Sequence, residues 1–250
     1  MKQFTISLAG IAVGIQSLYD EVYRMCLPYL CDRPEDFCVR VEPWDIDFER
    51  EKSAREAARE GRVWMGATDA YLETLAVYRK IAVEMLRYDT FVMHGSAVCA
   101  GGEAYLFTAP SGVGKTTHTR LWLRHIPGTF VVNGDKPLIR LQGDRALVCG
   151  TPWAGKEAMQ ANAVVPLRAV CQLIRGEENR VVQASYRDIY PILLQQCYRP
   201  SDVAQMQKTM RLVKRMGECV GLYRLQCNMD PEAALTAYAG MKGEAVRDGH

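Results

Sequence analysis

A chain of 250 residues with a net charge of +2, nearly half of them apolar and about a quarter charged, has ordinary globular composition. It lacks the basic excess that nucleic-acid and anionic-membrane binders carry, so neither partner is expected. Nine cysteines, an odd count with Cys99, Cys149 and Cys171 inside apolar runs, match the thiol usage of a reducing cytoplasm.

Near residues 3–9, Phe4, Ile6 and Leu8 alternate with Thr5 and Ser7, which predicts a half-buried strand in preference to a signal peptide. A helix is expected near 17–29, a strand near 36–42, and a solvated helix or loop over the charged run from Asp47 to Arg62. These make a small N-terminal α+β unit over residues 1–66. Thr68 is placed to cap a long helix whose apolar stripe is Tyr71, Leu75, Tyr78, Ala82 and Met85. A strand from Phe91 to Ala100, a Gly101-Gly102 turn and a strand from Glu103 to Thr108 make a hairpin. A helix then starts near Lys115. Strands follow at Phe130–Asn133, Leu138–Leu141, Ala146–Cys149 and Val164–Ile174. Helices at about 201–216 and 231–241 flank a strand at Gly221–Leu225. The fold class is therefore α/β with α+β character. It has a mixed, meander-rich sheet and C-terminal helices, and a second domain spans 67–250. No stretch is long enough to cross a bilayer as an apolar helix.

The hairpin's second strand runs into Ala109-Pro-Ser-Gly-Val-Gly-Lys115-Thr116, a phosphate-binding loop. Gly112 and Gly114 let the backbone turn successive N–H groups toward phosphate oxygens, and the following helix adds its positive end. Ser111, Gly112, Val113, Gly114, Lys115, Thr116 and Thr117 are the expected nucleotide contacts. Lys115 supplies a cation to the β- and γ-phosphates, and the Thr116 hydroxyl a ligand to Mg²⁺, or to Mn²⁺ in its stead. The expected nucleotide is ATP.

Asp135, just past an apolar strand, is placed to be the second metal contact, although Asn-Gly-Asp also favours a turn by itself. His94 lies in the segment paired with the loop's own strand. There it can face the γ-phosphate, hold Asp135, or serve as a hydrogen-bonded core residue. Thr151-Pro-Trp153-Ala-Gly-Lys156 offers a ring and a cation, either as a substrate or phosphate clamp or as a structural turn. His118, Arg120 and Trp122 are expected to pack or to meet the nucleotide edge. Arg175 is a further cation or a surface residue.

The succession of His94-Gly, hairpin, Ser-Gly-x-Gly-Lys-Thr, helix and a strand ending in an aspartate motif resembles the HPr kinase/phosphorylase family. That family belongs to the phosphoenolpyruvate carboxykinase-like P-loop superfamily. The chain is also similar to short bacterial HPr-kinase-like proteins often labelled phosphoenolpyruvate carboxykinase. The shared runs are His-Thr-Arg-Leu-Trp (118–122), Asn-Gly-Asp-Lys-Pro (133–137) and Gly-Thr-Pro-Trp-x-Gly-Lys (150–156), and the resemblance covers about 90–175. It implies a mixed-sheet P-loop kinase fold, a homo-oligomer, and phosphoryl transfer from ATP to a serine. His94, Lys115, Thr116 and Asp135 match positions that matter there. The family carries two adjacent aspartates at the strand end, the first acting as acid/base, whereas here Gly134 takes the first place.

Three activities are compatible with this pattern. One is a kinase acting on a protein, a peptide or a small metabolite, with Lys115, Asp135 and His94 as catalytic groups. The second is a carboxykinase-like metabolite enzyme, and the third a non-catalytic ATP-binding switch.

Overall fold

The structure, a computed structural model, describes residues 1–59, 61 and 63–243. The chain forms two compact units that divide between Met85 and Leu86.

In the first unit, strands β1 (Lys2–Leu8), β2 (Ile11–Ser17) and β3 (Phe37–Arg40) form one sheet in that order. β1 and β2 are antiparallel, joined at Ala9-Gly10. Both turn residues have positive φ (52° and 79°), as a two-residue type I′ hairpin requires. The apolar run after Gly10 is thus a second strand, buried on both faces, and helix α1 (Asp20–Cys26) starts later than its pattern suggested. Helix α2 (Pro43–Arg59) covers most of the expected charged run, whose end at Arg62 lies outside the described residues. This helix is not solvated all round. Asp45 and Glu49 turn inward onto Arg79, with Arg79 Nη2 3.1 Å from Asp45 and Lys80 Nζ 2.7 Å from it.

Thr68 caps α3 (Asp69–Glu84), its hydroxyl accepting from the Tyr71 N–H at 3.3 Å. The buried face is Leu72, Ala76, Val77, Ile81 and Ala82, whereas Tyr71, in the first turn, is exposed. Of the expected stripe, Tyr78, Ala82 and Met85 are buried and Leu75 is half-buried, so the stripe is right apart from Tyr71 and is widened by Leu72, Ala76, Val77 and Ile81. Glu73 on α3 accepts the N–H groups of Leu18 and Tyr19, and Arg79 holds α2. These buried polar ties group α3 with the N-terminal unit, so the divide follows this helix and does not fall at 66/67.

The second unit is built on a mixed nine-stranded sheet. The segment 90–100 is two strands. β4 (Thr90–Val92) pairs with β8 (Leu138–Gln142), while β5 (Ser96–Ala100) pairs with β6 (Glu103–Thr108). The chain breaks at Gly95, where a Cβ would stand 2.8 Å from the Phe107 carbonyl. β5 also pairs antiparallel with β7 (Phe130–Asn133). β8 pairs with β9 (Arg145–Cys149), and β9 with the start of β10 (Val164–Arg175). The rest of β10 runs parallel to β6 on one side and to β12 (Gly221–Cys227) on the other. β11 (Arg180–Gln183) closes the edge against β12.

Helices α4 (Lys115–His125) and α7 (Pro231–Lys242) cover one face of the sheet. Trp122 there meets Tyr105, Phe107 and Tyr238 at centroid separations of 5.0–5.4 Å. Helices α5 (Tyr186–Gln196) and α6 (Val203–Cys219) cover the other face through Ile189, Leu193, Leu212, Val213 and Met216. The class is α/β with a mixed sheet, as the sequence indicates. Four strands, β7, β6, β10 and β12, run in the same direction. Their carboxyl ends, with the amino end of β5, share one edge, and this is where ligands bind in such sheets.

Candidate functional site

The loop from Ala109 to Gly114 leaves the carboxyl end of β6 and enters α4. Gly112 (φ 81°) and Gly114 (φ 124°) adopt backbone that only glycine takes without strain, and a Cβ at either would meet nothing within 4 Å. Open space therefore faces the loop, and the first-turn N–H groups of α4 have no intrahelical acceptor to bond. Lys115 Nζ is folded over the loop and donates to Ala109 O (2.7 Å) and Pro110 O (3.4 Å). Burial lowers its pKa from the usual lysine value, with Asp135 pulling the other way. The ammonium is thus partly desolvated without full compensation, and a phosphate would supply what it lacks.

Asn133, at the end of β7, is fully buried and builds the turn that carries Asp135. Its Oδ1 accepts the N–H of Asp135 (2.9 Å) and of Lys136 (2.7 Å). Its Nδ2 donates to Thr151 O and Thr151 Oγ1 at 3.0 and 2.9 Å. Asp135 O accepts from the Gly95 N–H (2.9 Å), and His94 Nε2 lies 3.2 Å from Asp135 Oδ1. His94 is in the break between β4 and β5 and not within a strand, so its ring reaches across the gap to β7. Burial pushes the Asp135 carboxyl up. The His94 hydrogen bond and the charges of Lys136, His94 and Lys115 more than offset this and hold it below its ordinary value.

Gly134 sits where a second carboxylate would be crowded. A Cβ there would sit 3.3 Å from Met159 O and 3.4 Å from Ala154 O, so an acidic side chain would enter between two carbonyl oxygens. The segment that crowds it also packs on Asp135. Gly155 (φ 74°) comes so close that its Cβ would be 3.0 Å from Asp135 Cβ. Of the suggested clamp, Trp153 is only 5% exposed, so its ring offers no stacking surface to a ligand arriving from solvent. Lys156 is exposed, one residue from the Gly155 contact with Asp135. Its neighbour Glu157 pairs with Arg120 of α4 at 2.5 Å.

The other side of the loop differs. Arg175, at the end of β10, donates Nε to Val113 O (3.2 Å) and Nη2 to Gly112 O, which anchors the loop's apex. Beside it lies a cavity of about 470 Å³ lined by Gly112–Gly114, Thr117, His118, the end of β10 and residues 227–229. His118 is buried, and its Nε2 accepts from Trp122 Nε1 at 3.0 Å. Sequence reasoning singled out the loop, His94 and Asp135. It missed the cavity, whose far wall comes from a strand end about a hundred residues away. The rule that parallel strands present sites at their carboxyl ends would have indicated it once β6, β10 and β12 were known to be parallel.

The loop glycines, the desolvated Lys115 and the helix amino end fit a triphosphate. Thr116 and Asp135 supply oxygen donors of the kind Mg²⁺ takes, and among the described residues the Thr116 hydroxyl makes no hydrogen bond. Also among the described residues, no cluster of three His, Cys, Asp or Glu could hold a metal by itself, and no helix is long and apolar enough to cross a membrane.

No family model matches the sequence, and no curated protein matches it. Among solved structures, the chain is similar to the HPr(Ser) kinase/phosphatase from Coxiella burnetii. The identity is 9%, the match covers 61% of this chain and 99% of that one, and the TM-score is 0.35. A likeness at that score decides nothing about chemistry, which rests on the residues of the site.

Proposed function

We propose that this chain is an ATP-dependent phosphotransferase that moves the γ-phosphoryl group to a hydroxyl. The acceptor is a serine of a protein or peptide, or a small metabolite. The observation that carries this reading is the convergence, on one sheet edge, of a P-loop lysine with an aspartate–histidine pair at 3.2 Å. A glycine loop alone accounts for phosphate binding. The pair supplies a route for a proton.

His94 Nε2–H donates to Asp135 Oδ1, leaving Nδ1 as the basic lone pair. The acceptor hydroxyl gives its proton to Nδ1 as its oxygen bonds to the γ-phosphorus. The bond from that phosphorus to the β–γ bridging oxygen breaks, and its electron pair leaves on ADP. Asp135 orients the ring and stabilises the imidazolium, as a carboxylate does in hydrolase triads. Lys115 and the loop N–H groups stabilise the charge that develops on the transferring oxygens. When Mg²⁺ is bound, Thr116 and Asp135 would hold it, and it would neutralise phosphate charge. This route explains how transfer can proceed with Gly134 at the position where the resembling family has an aspartate.

The test is incubation with γ-labelled ATP, pooled cytosolic peptides and metabolites, comparing the wild type with Lys115→Ala and His94→Gln. Label on a product in the wild type, lost in both variants, supports transfer. Tight ATP binding with neither transfer nor hydrolysis contradicts it and favours a nucleotide-dependent switch. Release of CO₂ from oxaloacetate would instead make the protein a carboxykinase.

A further inference from the structure

Arg120, in the second turn of α4, is brought to the reactive flank by the way that helix is seated. Successive residues of a helix stand about 100° apart around its axis. His118 lines the cavity on the β10–β12 side, and Thr119, the next residue, shares a buried 2.6 Å hydrogen bond with Ser96 of β5. Thr116 and then Arg120 follow in the same sense around the helix, beyond Thr119 and away from the cavity. They are four residues apart, so Arg120 stands one turn above Thr116 on one face. Its side chain leans back toward the amino end of α4. The seating therefore places Arg120 on the side of the loop that holds His94 and Asp135.

The contact that Arg120 makes agrees with this placement. Its Nη2 donates to Glu157 Oε2 at 2.5 Å, and Glu157 belongs to the turn from Gly155 to Ala158, closed by the Ala158 N–H on Gly155 O at 3.2 Å. Gly155 is the residue packed on Asp135. Arg120 is thus held, through one short turn, near the carboxylate that faces the expected γ-phosphate. Both side chains of the pair are about half exposed, at 50% and 48%, and an exposed pair of this kind contributes little to stability. Among the described residues the Arg120 guanidinium has no other partner, so it keeps N–H donors that Glu157 does not use. Two other cations of the loop are engaged with its backbone. Lys115 Nζ lies on the carbonyls of the first loop residues, and Arg175 is bonded to Gly112 O and Val113 O at the apex. A guanidinium binds phosphate oxygens through paired N–H groups, which an ammonium cannot do.

We propose that Arg120 is a further catalytic residue, a cation for the γ-phosphate that Glu157 holds in reserve while the loop is empty. When a Mg²⁺–nucleoside triphosphate enters the loop, the guanidinium leaves Glu157 and binds γ-phosphate oxygens, where it stabilises the transferring charge together with Lys115. Only hydrogen bonds change at Arg120, and Glu157 is left to solvent. The exchange gives up one exposed ion pair for a charge-assisted contact with a group of higher charge. A diphosphate lacks the group that Arg120 meets, so the residue separates the nucleotide before transfer from the nucleotide after it. This assignment rests on the reading of the chain as an ATP-dependent phosphotransferase.

Titration calorimetry with the Mg²⁺ salts of a non-hydrolysable ATP analogue and of ADP tests it, on the wild type, Arg120→Ala, Arg120→Lys and Glu157→Gln. The rate of label transfer from γ-labelled ATP is measured on the same proteins. Both positions are exposed, and melting temperatures check that the variants fold. Arg120→Ala is expected to weaken the analogue about tenfold or more and ADP less than about twofold. Transfer falls about 10²-fold, and Arg120→Lys recovers part of both losses because it restores the charge without the paired N–H groups. Glu157→Gln removes only the resting partner, so the analogue binds as before or up to about threefold tighter and transfer is not lowered. Analogue binding unchanged by Arg120→Ala, or weakened equally with ADP, overturns the γ-phosphate contact. Transfer lowered as much by Glu157→Gln as by Arg120→Ala overturns the reserve role and makes the pair a structural clasp. A wild type that transfers no label yet shows the Arg120 split between analogue and ADP supports the contact while removing the phosphotransferase reading. A wild type that binds neither nucleotide sinks both.

Discussion

The two flanks of the P-loop are built on opposite principles. On the β5–β7 flank, Asn133, His94, Asp135 and Lys136 are tied to one another and to the backbone, so the charged groups are fixed before any ligand arrives. On the β10–β12 flank Arg175 and Asn228 bond to backbone carbonyls and neighbouring side chains, His118 Nδ1 is buried without a partner, and apolar side chains stand open at a cavity mouth. Preorganised polar groups suit the end of a ligand where charge moves, and an adaptable apolar wall suits the end that only needs holding. The loop between them is braced from one side by Arg175, through the Gly112 and Val113 carbonyls, while Lys115 folds over its first residues.

The sharpest way to break this division is at the loop, which serves both flanks. Lys115→Ala should lower the transfer rate by about 10²–10³-fold and weaken ATP binding, measured by initial rates and calorimetry. A variant that loses only one of the two would show that the flanks do not share the lysine.

Next in size is a pH effect confined to the cavity flank. Burial pushes the His118 pKa down from 6.5 to about 4, so the fold holds the neutral ring. Below pH 6.5 the unfolded chain takes up a proton that the folded chain refuses. The stability contributed is complete above pH 6.5 and is lost as pH falls toward about 4, by on the order of 3 kcal/mol. His118→Gln keeps an acceptor for Trp122 and does not titrate, so urea melts across this window should show a shallower slope for the variant.

A third test acts on the reactive flank alone. Gly155→Ala would force a residue with a Cβ into φ 74° and set that Cβ 3.0 Å from Asp135 Cβ, displacing the carboxylate from His94. About a tenfold fall in kcat with little change in KM is expected. The smallest effect is that of Arg175→Ala, which frees the loop apex. It should weaken ATP about threefold, because the apex must then be ordered by the ligand, with kcat nearly unchanged.

The loop and its flanking strand and helix were legible because the chemistry requires particular residues at fixed spacing. The Thr68 cap and the Gly101-Gly102 hairpin were legible for the same local reason. β2 was not, because a strand buried on both faces shows no alternation, and its Ala-Gly turn lacks the usual Asn-Gly or Gly-Gly composition. Helix α5 carries Pro191 in its interior, which argues against a helix in any local reading. The single strand expected over 91–100 concealed the break at Gly95, because the change of partner there, from β8 to β6, is tertiary and leaves no local signal. His94 and Asp135 were recognisable as candidates, but the contact between them depends on that break. Trp153 read as a possible stacking ring because sequence does not show which way a ring turns.

The central claim is that a nucleotide bound in the loop would have its reactive end at the His94–Asp135 pair. A crystal structure with Mg²⁺ and a non-hydrolysable ATP analogue tests it most directly. The account predicts the γ-phosphate within hydrogen-bonding distance of Lys115 Nζ and beside Asp135. A triphosphate bound in the reverse sense, or a γ-phosphate directed away from His94 and Asp135, would contradict it.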